Sequence, residues 1–173
     1  MSTRPTSDRL RETLFNVLAP RIEGAWFLDL YAGSGAVGIE AASRGAEKVV
    51  LVERGAPALK ILRGNLESLG LRGGVRVEAV SAAAFLNKVR PESAEFAFNI
   101  VFLDPPYDAE DEYALALGLL GGEASRLLAP DALVIAEHRR KYKLEERYGA
   151  LARTRVLEQG DAALSFYKAA ISS

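Results

Sequence analysis

The sequence predicts an α/β protein: a mostly parallel sheet with helices on both faces, ending in an antiparallel hairpin. Three observations lead there. Five short apolar runs, residues 25–31, 48–53, 75–80, 98–103 and 132–137, alternate with segments of helical character. Strands that are apolar throughout, without polar alternation, are those covered on both faces, as parallel strands are. Finally, residues 154–158 and 163–168 flank Gln159-Gly160-Asp161-Ala162, a turn sequence that joins them as a hairpin.

The elements follow in order. A helix is expected over residues 4–19, capped by Thr6 or Ser7, with Leu10, Leu14, Val17 and Leu18 as its apolar stripe and Arg9 and Arg11 on other faces. The first strand, 25–31, is apolar and aromatic and runs into glycines; helix 35–44 follows. The second strand, 48–53, reads Lys-Val-Val-Leu-Val-Glu, a β-branched run. Helix 56–69 carries Leu59, Leu62, Leu66 and Leu69 at three- and four-residue spacing, which lines one face. Strand 75–80, short helix 82–89, strand 98–103, a helix within 111–120, strand 132–137 and the hairpin complete the chain. A length of 173 residues with no repeat or linker predicts one domain, with 1–24 as its N-terminal helical segment.

Composition narrows the chemistry. There is no Cys, so a disulfide or a thiolate metal site is excluded, and one His argues against a His-built zinc centre; no metal is expected. No apolar run approaches the ~20 residues that span a bilayer, and Met-Ser-Thr-Arg-Pro has no signal-peptide core. A cytoplasmic protein without a membrane partner is expected. The net charge of −1 means that any nucleic acid must be held by a local basic patch.

The most informative stretch is Ile100-Val101-Phe102-Leu103-Asp104-Pro105-Pro106-Tyr107. An apolar strand ends in an acid, two prolines and an aromatic. Proline has no N–H and a fixed φ, and the residue before it avoids the α region, so the strand stops in a stiff corner. The corner offers the Asp104 carboxylate, carbonyl oxygens and one ring. That acceptor-rich cup suits a flat substrate bearing an NH2 group, such as a nucleobase amine.

A second motif, Leu28-Asp29-Leu30-Tyr31-Ala32-Gly33-Ser34-Gly35-Ala36-Val37-Gly38, places Gly-x-Gly-x-x-Gly between a strand and a helix. Glycines there permit a tight turn and close backbone approach to a ligand. Glu53 ends the next strand, 20 residues after Gly33, where an acid can accept hydrogen bonds from ribose hydroxyls. A dinucleotide and S-adenosylmethionine could both use such a loop. A pyrophosphate disfavours neighbouring negative charge, whereas the sulfonium and amino groups of S-adenosylmethionine favour it. Asp29 and Asp104 therefore point to S-adenosylmethionine as the cofactor. In an open parallel sheet both would lie on one rim, outside the strands' carboxyl ends.

The set Asp29…Gly33-Ser34-Gly35, Glu53 and Asp104-Pro105-Pro106-Tyr107 resembles class I S-adenosylmethionine-dependent methyltransferases that act on amines. With Arg4-Pro5-Thr6-Ser7-Asp8-Arg9-Leu10-Arg11-Glu12-Thr13-Leu14-Phe15-Asn16 ahead of it, the chain is similar to the RsmD-like bacterial 16S rRNA guanine-N2 methyltransferases over nearly its whole length. The resemblance implies a doubly wound, Rossmann-like seven-stranded sheet, five strands parallel and the last two in the hairpin. It implies catalysis at Asp104, Pro105, Pro106 and Tyr107. It implies a cofactor held by Asp29, Tyr31, Ala32, Gly33, Ser34, Gly35 and Gly38, by Glu53 and Arg54, and by Ser81 and Ala82. Ser81 stands where the family often has an acid or Asn, so the Ser hydroxyl or the Ala82 N–H would meet the adenine.

The partner implied is ribosomal RNA, gripped by Arg4, Thr6, Arg9 and Arg11 and by Arg139 and Arg140, with Lys141 and Lys143 beside them. The family's usual Arg- and Gly-rich stretch before Arg4 is not in this sequence, so weak binding to naked RNA and action on a small-subunit particle are expected. A monomer is expected. Two alternatives stay open: an amine methyltransferase acting on adenine or cytosine in DNA or another RNA, and a nicotinamide-dependent oxidoreductase using the glycine loop. His138 reads as a structural residue.

Overall fold

A computed structural model of the chain describes residues 8–71, 73–88, 97–106 and 108–170. Helix α1 (Asp8–Ile22) leads into β1 (Trp26–Asp29), α2 (Ala36–Ser43), β2 (Lys48–Val52), α3 (Ala56–Ser68), β3 (Val75–Glu78), α4 (Ala82–Lys88), β4 (Phe98–Leu103) and α5 (Asp111–Leu120). A single 3-10 turn, Ser125–Leu127, precedes β5 (Leu128–Arg139); β6 (Arg147–Tyr148), β7 (Leu151–Gln159) and β8 (Ala162–Ala169) follow.

One sheet runs through the molecule in the order β3-β2-β1-β4-β5-β8-β7-β6. The first five strands in chain order pair in parallel, and β8, β7 and β6 add antiparallel. The sheet is doubly wound because side chains alternate across each strand. Phe27, Val49, Ile100 and Phe102 point to one face, where Leu10, Leu14, Phe15 and Leu18 of α1, Val37 and Ala41 of α2, and Leu59 and Leu62 of α3 pack on them. Leu28, Val50, Val101 and Leu103 point to the other, under Phe85 and Leu86 of α4 and Ala116, Leu117 and Leu120 of α5. These strands are apolar throughout because both faces are covered.

The seven expected strands are all present; an eighth, β6, extends the sheet by two residues. It forms because α5 ends at Gly121, whose carbonyl accepts from Ala150 N–H at 2.8 Å and so holds the Gly149-Ala150 turn between β6 and β7. Several bounds differ from expectation, most of them by one or two residues, and two of the larger differences have a clear local cause. β5 begins four residues earlier than expected, passing through Pro130. The register shifts there, from Phe98↔Leu128 to Ile100↔Leu133, and Pro130 and Asp131 stand exposed in the irregularity. An unpaired stretch is where a strand tolerates proline. α1 continues past Ala19 to Ile22 with Pro20 in its last turn. The expected capping residues Thr6 and Ser7 lie outside the described residues.

Candidate active site

The chain leaves β1 toward β2 and β3 on one side, then crosses to β4 on the other. The carboxyl ends of β1 and β4 therefore part, and a crevice opens between the loops that leave them. Leu28 pairs with Val101 and Asp29 with Phe102, and Leu30 N–H donates to the Phe102 carbonyl at 3.0 Å. This register carries Asp29 and Asp104 to the same rim, as the two motifs require.

Asp29 is 1% exposed and its Oδ1 has no hydrogen-bond partner. The backbone N–H groups of Tyr31 and Gly38 stabilise its charge, yet burial, then the negative charges of Asp104 and Glu53, push its pKa up to about 7. A buried carboxylate with an orphaned oxygen and two anionic neighbours is complementary to a cation, and hostile to a diphosphate.

The glycine loop is built around close packing. Gly33, Gly35 and Gly38 differ in role: a Cβ on Gly33 would enter open space, whereas one on Gly35 would overlap Leu62 and one on Gly38 would overlap Leu51. Gly33 and Gly35 also have positive φ, 57° and 89°, which glycine adopts without a Cβ penalty. Thus Gly38 seats α2 on β2, Gly35 seats the loop on α3, and Gly33 leaves room for a ligand. Ala32 N–H donates to the Val52 carbonyl at 2.9 Å, and the Ser34 carbonyl accepts from Asn65 Nδ2 at 2.9 Å. Asn65 has no motif around it and is not legible in the sequence.

Glu53 accepts from Gly33 N–H through Oε1 and from Gly55 N–H through Oε2, both at 2.8 Å. Each carboxylate oxygen has a second lone pair. The two backbone bonds fix the carboxylate while leaving acceptor capacity for a vicinal diol. Arg54 is exposed beside it. Ser81 Oγ accepts from Ala84 N–H at 3.0 Å, the cap of α4, and Ala82 is buried in the first turn. Ser81 thus serves its own helix, with its O–H left to donate.

At the other motif β4 stops at Leu103, with Asp104 half-buried, Pro105 buried and Pro106 exposed. The Pro106 carbonyl accepts from Ala109 N–H at 2.9 Å, which turns the chain into α5. Tyr107 lies outside the described residues. Three tyrosine hydroxyls surround this turn: Tyr31 donates to Glu112 Oε1 at 2.8 Å, Tyr142 to the Glu110 carbonyl at 3.2 Å, and Tyr113 to the Glu137 carbonyl at 2.7 Å. None was singled out for this in the sequence, because each links residues far apart in the chain.

Helix α1 and the turn after β5, which carry the described basic residues, both contact the β7–β8 hairpin. Thr13 of α1 donates to Gln159 Oε1 at 2.9 Å, and Arg140 N–H donates to the Asp161 carbonyl at 2.7 Å. The tip of the β7–β8 hairpin therefore sits between α1 and the turn after β5. Arg9 is exposed, but Arg11 is half-buried and ion-paired with Asp8 at 3.2 Å and Glu40 at 3.9 Å. Arg140 pairs with Glu158 at 3.3 Å, and Arg139 is the half-buried last residue of β5. Arg4 and Thr6 lie outside the described residues. His138 is 4% exposed; its Nδ1 donates to the Arg139 carbonyl and its Nε2 accepts from the Ser165 hydroxyl, both at 2.8 Å. Burial lowers its pKa, so it is a neutral core residue.

The chain is similar to known proteins in sequence and in fold. The family model described as "Conserved hypothetical protein 95" matches residues 1–168. YlbH of Bacillus subtilis (strain 168) is 38% identical over 167 residues, 96% of this chain and 88% of that one. "Ribosomal RNA small subunit methyltransferase D" of Escherichia coli (strain K12) is 48% identical over 105 residues, 60% of this chain, and the match spans 50% of that protein's length. The solved structure of yhhF from Escherichia coli has a TM-score of 0.81 at 34% identity, over 98% of this chain and 90% of that one. With the family model matched from end to end of the fold, this chain belongs to the Conserved hypothetical protein 95 family, the RsmD family.

Proposed function

We propose that the chain is an S-adenosylmethionine-dependent methyltransferase that methylates the exocyclic N2 amine of a guanine in small-subunit (16S) ribosomal RNA. The observation that carries the reading is one acidic crevice: the charges of Asp104 and Glu53 both act on buried Asp29 at the rim where β1 and β4 part. The name of the Escherichia coli relative supports the RNA target.

The residues fit the cofactor. Glu53, held by Gly33 and Gly55, takes the ribose hydroxyls; Asp29, with its orphaned Oδ1, faces the cationic end; the open space over Gly33 admits the ligand against the backbone. When bound, S-adenosylmethionine supplies an electrophilic methyl group. The chain's own residues prepare the nucleophile. A guanine amine is a poor one, because its lone pair is delocalised into the ring. Hydrogen bonds from NH2 to the Asp104 carboxylate and the Pro105 carbonyl let the nitrogen pyramidalise and aim its lone pair. Positioning of this kind supplies much of the acceleration. Asp104 accepts the proton after the nitrogen has become cationic. Tyr107 stacks on the base, a contact worth roughly 1–3 kcal/mol. Arg9, with Arg139 and Arg140 across the hairpin tip, holds RNA phosphates. The protein acts as a cytoplasmic monomer on the particle.

Calorimetry and methyl transfer test the reading. Heat of binding with S-adenosylmethionine and none with NAD, followed by transfer of labelled methyl to undermethylated small-subunit particles, supports it. Binding of NAD without S-adenosylmethionine overturns it.

A further inference from the structure

The corner that presents Asp104 is short and held at both ends. Its near end is β4, where Leu103 pairs with Ala136 of β5. Its far end is the first turn of α5, reached through two local bonds: Ala109 N–H to the Pro106 carbonyl at 2.9 Å and Glu112 N–H to the Ala109 carbonyl at 3.1 Å. That turn is gripped from two sides. Tyr31, two residues after Asp29 at the start of the glycine loop, donates to Glu112 Oε1 at 2.8 Å. Tyr142, whose N–H donates to the Arg139 carbonyl at 3.0 Å, donates through its hydroxyl to the Glu110 carbonyl at 3.2 Å. The Tyr142 ring lies 5.5 Å from that of Tyr113, which α5 anchors to β5 through the Glu137 carbonyl.

We propose that Tyr31 and Tyr142 are positioning residues for Asp104. Their hydroxyls hold the anchor of the Asp104-Pro105-Pro106 corner, one from the cofactor loop and one from the basic turn after β5. Neither touches the reacting atoms in this role. A corner closed by local backbone bonds between β4 and α5 transmits a small rotation of α5 to the carboxylate, and misplacement of a catalytic group by about 1 Å costs on the order of a hundredfold in rate. The inference rests on the reading of Asp104 as the acid that holds the substrate amine.

The test uses the full chain, undermethylated small-subunit particles and saturating S-adenosylmethionine. Tyr31→Phe and Tyr142→Phe keep the rings and delete the hydroxyls. Each should lower kcat about tenfold at saturating cofactor, the loss expected for one hydrogen bond, with KM for the particle and melting temperature essentially unchanged, and with cofactor Kd unchanged in Tyr142→Phe. Glu112→Gln keeps an acceptor oxygen and should restore most of the rate that Glu112→Ala loses. Tyr31→Phe combined with Glu112→Ala should be no slower than either alone, because both remove one contact. A parental kcat in both Phe variants, a loss that tracks lowered melting temperature, or weakened cofactor binding in Tyr142→Phe, overturns the proposal. Asp104→Ala serves as the control. If it abolishes turnover while the Phe variants are parental, only this inference fails; if Asp104→Ala turns over normally, the reading of the site fails and this inference falls with it.

Discussion

Asp29→Asn should stabilise the ligand-free protein at alkaline pH while destroying its affinity for the cofactor. The side chain is fully buried, and its pKa rises from 3.8 to about 7, chiefly through burial and secondly through Asp104. Between those two values the folded protein holds a proton that the unfolded chain has released. Stability therefore falls as pH rises from about 4 to about 7, and the full penalty stands above 7. At 1.36 kcal/mol for each pKa unit, the difference between 3.8 and about 7 is worth on the order of 4 kcal/mol. The amide keeps an oxygen for the Tyr31 and Gly38 N–H groups but buries an NH2 without a partner, which returns about 1–3 kcal/mol of that gain. The net expectation is a gain of roughly 1–3 kcal/mol near pH 8.5 that shrinks toward pH 5. Urea denaturation of both proteins across that range measures it. The difference between them also removes the contribution of His138, whose lowered pKa acts in the opposite sense: its stabilisation is present above the unfolded value and is lost as pH falls through the folded one. A variant less stable than the parent near pH 8.5, or a pH-independent difference, would refute the reasoning. For the parent, cofactor affinity should fall as pH drops below about 7, since a cation binds the ionised carboxylate.

Glu53→Ala should weaken S-adenosylmethionine binding by ~1–3 kcal/mol, because it removes a charged acceptor and also frees Gly33 and Gly55 N–H; an unchanged calorimetric Kd would show that the acid does not meet the ligand. Gly38→Ala should cost about 1–3 kcal/mol of stability, since the new Cβ overlaps Leu51 and meets Val49 Cγ1 at 3.3 Å; a chemical denaturation midpoint equal to the parent's would contradict the packing argument. Arg9→Ala should lower the salt slope of RNA binding by roughly one unit and leave cofactor binding alone, whereas Arg11→Ala, already engaged with Asp8 and Glu40, should change the slope less. The reverse ranking would relocate the contact.

The sheet and the placement of the acids were legible because each rests on a local pattern. Phe98–Leu103 was readable to the residue: an apolar run ended by Asp-Pro-Pro has one possible stop. The spacing from Gly33 to Glu53 indicated an acid facing the glycine loop, but not that two backbone N–H groups hold it. Asp29 was legible as an acid at the end of β1; its burial, its orphaned Oδ1 and the charges of Asp104 and Glu53 acting on it were not, because they depend on segments distant in the chain. β6 escaped because a two-residue strand has no periodicity and exists through the Gly121 carbonyl. The strand was expected from Ala132, and β5 instead starts at Leu128, with Pro130 in an irregularity inside it. The tyrosine contacts span 81 and 32 residues, beyond the reach of any local signal.

The most direct measurement is the chemical identity of the product. Small-subunit particles lacking methylation are incubated with the protein and labelled S-adenosylmethionine, and the RNA is digested to nucleosides. The account predicts label in N2-methylguanosine with the parent chain and none with Asp104→Ala, although that variant still binds the cofactor. Label in a methylated adenosine or cytidine, or undiminished transfer by Asp104→Ala, would contradict it.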